Sequence, residues 1–89
     1  MIRPMLRVLM DEIKDANMVL DYYDECDIPQ CEDWFFNWGK KKTENAMNMF
    51  SYVNEYIQLD KRAKEGDELA AALEETLEMD VKMLQNRLR

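Results

Sequence analysis

No histidine occurs anywhere in this chain. That absence removes Ser-His-Asp and Cys-His catalytic arrangements, and with them the helical His motifs that hold zinc. Ser51 is the sole serine, and it falls inside a helical pattern without a nucleophile context. With only Gly39 and Gly66, no glycine-rich phosphate loop can be built. The sequence therefore predicts a protein that is not an enzyme and takes no cofactor.

Glycine and proline are scarce at two each, while Glu, Leu, Met, Lys and Asp are plentiful. This balance favours helices over sheets and argues against disorder. No run approaches the roughly 20 apolar residues of a membrane span. The first residues include Arg3 and Arg7 but no long apolar stretch and no small-residue cleavage site. The expectation is a cytoplasmic protein with no membrane partner, its two thiols reduced. Cys26 and Cys31 flank Asp27-Ile28-Pro29-Gln30. Two thiols without histidine fall short of the four ligands of structural zinc, so they read as loop thiols.

At 89 residues the chain is one domain, spanning 1–89. Its formal net charge is −7. An acidic chain disfavours direct nucleic-acid binding, because phosphate contacts need Lys and Arg. The acid is also uneven. From Asp11 to Asp33, nine acidic residues stand against Lys14 alone. Asp11, Asp15, Asp21, Asp24 and Asp27 form either a solvated face or an acidic surface aimed at a basic partner, such as the nucleic-acid site of another protein.

Three amphipathic helices can be traced. The first runs from about Pro4 to Glu25, with a seam of Leu6, Leu9, Ile13, Ala16, Leu20 and Tyr23 in steps of three and four. Met5, Val19 and Tyr22 widen it. Pro29 restricts Ile28 and ends the pattern. The second region begins near Gln30 to Asp33 and extends to about Lys64. Its expected seam is Phe35, Trp38, Lys42, Ala46, Met49, Val53, Tyr56 and Asp60, with Lys42 and Asp60 as polar exceptions. Gly39 marks either a kink or a close helix crossing. The third helix follows Gly66 with Asp67 as N-cap and runs to about Leu88. Its seam is Ala70, Leu73, Leu77, Val81, Leu84 and Leu88, with Glu74, Glu75, Glu78 and Asp80 outside. The fold class is all-α: a small three-helix bundle, completed by self-association.

The most informative stretch is Trp34-Phe35-Phe36-Asn37-Trp38-Gly39-Lys40-Lys41-Lys42. Four aromatics in five positions cannot share one helix face, since successive residues turn by about 100°. One stripe can enter the core. The rest of Trp34, Phe35, Phe36 and Trp38 is expected at an oligomer or partner interface, where large aromatics dominate binding energy. The lysines beside them read as a solvated cluster, or as a match for the acidic segment of another subunit. The eight methionines serve either as core filler or as an adaptable surface.

One metal alternative stays open. Inward carboxylates from several helices can hold two metal ions, and Glu12, Glu44, Glu75 and Glu78 are the residues to test.

The run Leu9-Met10-Asp11-Glu12-Ile13-Lys14-Asp15-Ala16, followed by Asn45-Ala46-Met47-Asn48-Met49-Phe50, resembles the first helical hairpin of short ferritin-like proteins, some of them encoded by phages. The resemblance covers about half the chain. It would put the family's Glu-x-x-His near Thr43 and Ala46, which cannot ligate as that pair does. The resemblance thus implies an inherited bundle whose metal chemistry is lost, and it carries over no functional residue. The expected role is an acidic, non-catalytic interaction module, an adaptor or inhibitor of phage or mobile-element type, acting on an unidentified protein and on itself. A nucleic-acid mimic blocking a basic site is the alternative, and a carboxylate-rich di-metal bundle the second.

Overall fold

The computed structural model describes residues 2–60, 62 and 65–88. They form three helices, α1 (Ile2–Glu25), α2 (Pro29–Leu59) and α3 (Glu68–Arg87), which pack on one another. There is no strand among the described residues. Each helix start follows from local chemistry. Pro4 sits in the first turn of α1, where a missing N–H costs nothing. Pro29 opens α2 behind an extended Ile28. Asp67 caps α3, its carboxylate accepting from the Ala70 N–H at 3.0 Å. Gly66 precedes it with φ +72°, a conformation that favours glycine.

The expected seam of α1 is its buried face: Leu6, Leu9, Ile13, Ala16 and Leu20 are all enclosed, with Ile2 and Val19. That of α3 also holds, with Ala70, Leu77, Val81 and Leu84 buried and Leu73 and Leu88 packed against the core. Glu74 departs from the expectation. It lies buried rather than outside, and Glu78 and Asp80 are half-buried.

Helix α2 differs in two ways. It stops at Leu59 rather than near Lys64; Asp60 caps it, its N–H donating to the Tyr56 carbonyl at 2.9 Å. Lys61, Ala63 and Lys64 lie outside the described residues, as do Met1 and Arg89. Its inward face also differs near its start. The buried positions are Gly39, Thr43, Ala46 and Val53. Ala46 and Val53 belong to the expected seam, and Met49 and Tyr56 of that seam pack on the core, but towards the start of the helix Gly39 and Thr43 take the place of Trp38 and Lys42. Three small residues at steps of four and three let α1 come close. A Cβ on Gly39 would lie 2.6 Å from Leu20 Cδ2 and 3.1 Å from Leu20 Cγ. Gly39 therefore marks a close crossing inside an unbroken helix. Thr43 is buried at no hydrogen-bond cost, because its hydroxyl donates to the Gly39 carbonyl at 2.9 Å.

The α1–α2 contact is the most extensive, and α3 covers one side of that hairpin. α3 is held at both ends. Arg3 grips Asp67 with two bonds of 2.7 and 2.8 Å. Arg87 reaches Asn17 Oδ1, Asp21 and Asp24, each at 2.9 Å. The shape is elongated, 50 × 20 × 19 Å with a radius of gyration of 14.8 Å, against about 12 Å for a compact domain of this length.

Candidate functional site

The aromatic burst divides between two sides of the hairpin. Phe36 leans on Tyr23 of α1, ring centroids 5.6 Å apart, and both are half-buried. Trp34, Phe35 and Trp38 form the other group. Trp34 meets Phe35 edge-on at 4.8 Å and Trp38 at 5.1 Å; Phe35 stacks on Trp38 at 6.3 Å and meets Tyr22 of α1 at 5.6 Å with the rings tilted by 30°. Helical rotation explains the split: positions 34 and 38 share a face, while 36 points away from it.

This second group is open to solvent. Trp34 is 60% exposed, Tyr22 49% and Trp38 40%. All four rings come from α1 and α2, and α3 contributes none. Towards the other end of the same side, Pro4, Met5 and Val8 of α1 face Met49, Tyr52 and Val53 of α2 across a shallow groove of about 290 Å³. Tyr52 and Val8 are each more than half exposed. Sequence reasoning missed this groove. Its signal was a second α2 line, Trp34 and Trp38 four positions apart, then Met49 and Tyr52 three apart and about three turns further on.

Between the two apolar patches lies a charge group. Lys42 Nζ is 3.5 Å from Glu12 Oε1 and 3.8 Å from Asp15 Oδ2. Glu12 Oε1 is fully buried and accepts no hydrogen bond, so Lys42 is its electrostatic partner. This explains Lys42 in the expected seam: it stands at the edge of the helix contact and neutralises an acid of α1.

The acidic residues differ in their partners. Asp21 and Asp24 are held by Arg87, and Asp15 is near Lys42. Asp11 and Asp27 are exposed. Of the metal candidates, Glu12 faces Lys42 and Glu78 pairs with Lys82 at 3.5 Å. No three of Cys, Asp and Glu are grouped to hold a metal among the described residues. No described helix is long and apolar enough to cross a membrane.

Comparison with known proteins finds no matching family model, no matching curated protein and no matching solved structure. Thr43 and Ala46, where the ferritin-like pattern would place its ligand pair, are both buried against α1.

Proposed function

We propose that this chain is a small non-catalytic interaction module, an adaptor or inhibitor, that works through the open side of the α1–α2 hairpin and pairs with a second copy of itself. The observation that carries this reading is the ring cluster of Tyr22, Trp34, Phe35 and Trp38, in which Tyr22, Trp34 and Trp38 are each at least 40% exposed. Area supports it. The chain exposes 6395 Å², about 900 Å² more than a monomer of this mass usually shows. One side of a standard protein interface covers about 800 Å².

The layout also suits a two-fold pair. Each copy carries rings at one end of the open side, the Pro4–Val8 and Met49–Tyr52 groove at the other, and Lys42 with Glu12 between. A two-fold axis near the charge group would set the rings of each copy on the groove of its mate. The charge-mimic alternative has less support, since Arg87 already occupies Asp21 and Asp24.

Sedimentation equilibrium over the micromolar range tests the proposal. A dimer is expected, with Trp34→Ala weakening it by about tenfold or more at unchanged helix content. A strict monomer at the highest concentration would reject it.

A further inference from the structure

The connection between α1 and α2 brings two thiols together. Cys26 follows the last residue of α1, and Cys31 lies in the first turn of α2. Their sulfurs are 2.7 Å apart, and both cysteines are free and half-buried. The approach is held by backbone on either side. The Cys26 N–H donates to the Tyr23 carbonyl at 3.2 Å, and the Ile28 carbonyl accepts from the Glu32 N–H at 3.0 Å. Ile28 is extended before Pro29, whose ring narrows the remaining freedom of the link.

We propose that Cys26 and Cys31 are a reversible dithiol that closes to an intrachain disulfide by exchange with a small-molecule disulfide, such as oxidised glutathione. One protein thiolate attacks the small disulfide, making a mixed disulfide and releasing one small thiolate. The second protein thiol gives up its proton and attacks the protein sulfur of that mixed bond. This forms the Cys26–Cys31 bond and expels the second small thiolate. Overall, two protein thiols are oxidised and one small disulfide is reduced to two small thiols. The second step is intramolecular between groups already in contact, so the mixed disulfide does not accumulate.

The surroundings set the rate. Burial, then the neighbouring Cys31 thiol, push the Cys26 thiol up to about 11; Glu32 and Asp27 add to the effect. The cation that α3 brings to this end, Arg87, is taken by Asp21 and Asp24. Attack needs a thiolate, so closure quickens as pH rises. The pair is a thiol couple that equilibrates with the small disulfides around it. When closed, it ties the helix bearing Tyr22 to the helix bearing Trp34 and Phe35.

The test incubates the folded full chain with mixtures of oxidised and reduced glutathione, quenches with an alkylating agent and reads intact mass and peptide maps. The expected product has lost two hydrogens, retains no glutathione, stays a single covalent chain and shows Cys26 and Cys31 in one cross-linked peptide. Cys26→Ser and Cys31→Ser should each stop at the mixed disulfide. The wild-type rate should rise by up to about tenfold per pH unit on the alkaline side, and Glu32→Gln should speed closure at fixed pH. A glutathione adduct that persists in the wild type, a disulfide between two chains, or thiols that stay free at alkaline pH would overturn the proposal.

Discussion

Leu20 of α1 packs over Gly39 of α2. A methyl group on Gly39 would stand 2.6 Å from Leu20 Cδ2, and Leu20 is itself 2% exposed. Replacing glycine by alanine inside a helix normally stabilises by about 1 kcal/mol. Here overpacking opposes that gain, at about 1–3 kcal/mol. Gly39→Ala is therefore expected to destabilise by about 1 kcal/mol net in urea titrations. Adding Leu20→Ala should cost less in the Gly39→Ala background than in the wild type, because the two side chains contend for one space. Independent, additive effects would show that the crossing has no such constraint.

Lys42 and Glu12 should be coupled in the same sense. Removing the lysine leaves a buried carboxylate oxygen without its counter-charge. Lys42→Met is expected to cost about 1–3 kcal/mol, below the full figure for a buried pair because Lys42 is a quarter exposed. The double variant Lys42→Met, Glu12→Leu should recover most of that loss, since apolar replacements of buried pairs are often neutral. A double-mutant cycle by chemical denaturation measures the coupling.

Arg87 fastens the end of α3 to α1. Arg87→Ala should lower stability by about 1 kcal/mol, with the difference shrinking in high salt, because Asp21 and Asp24 are both well exposed. Charge reversal at either aspartate should bring a similar loss. Asp27, outside this contact, should tolerate reversal with little change in melting temperature. Equal effects at all three positions would contradict this arrangement.

Asp67 predicts an acid-side transition. The Arg3 guanidinium, then the Ala70 N–H, hold its carboxyl at about 2, below its ordinary 3.8. A carboxyl depressed by folding contributes stability above its unfolded value and loses it as pH falls through the folded value. The contribution should be complete above about pH 4 and vanish towards pH 2. Asp67→Asn keeps a capping oxygen but cannot titrate. Its melting temperature should therefore fall less steeply than that of the wild type between those limits.

Much of the fold was legible in residue order. The seams from Leu6 to Leu20 and from Ala70 to Leu84 repeat every three or four positions, and this repeat alone specifies which face is buried. Aspartate at 67 marks a helix start as a capping acceptor, a local effect; Pro29, read as the end of the first pattern, is also the first residue of α2. The register of α2 was less legible. Apolar residues occur around most of its circumference, so size and hydrophobicity favoured the Trp38 side. Ala46 and Val53 of the expected seam are buried, but in the first half of the helix the inward face is lined by Gly39 and Thr43, which are poor hydrophobic markers but allow close approach.

The candidate site shows the same division. The aromatic burst was visible as an excess over what one helix face can bury, and that excess follows from the 100° turn per residue. How it divides was not visible, because Phe36 turns to Tyr23 while Trp34 and Trp38 gather beside Phe35 and Tyr22 only once α1 lies alongside. The burial of Glu74, the grip of Arg87 on residues more than 60 positions away and the contact of the two thiols are likewise tertiary. By itself the sequence determined that the chain is helical, where its helices begin and that it carries more aromatic surface than a small bundle needs, since these depend on neighbours within a turn or two. The tertiary structure alone decided which side of the hairpin stays open, because that depends on how closely α1 and α2 approach and on the side α3 then covers.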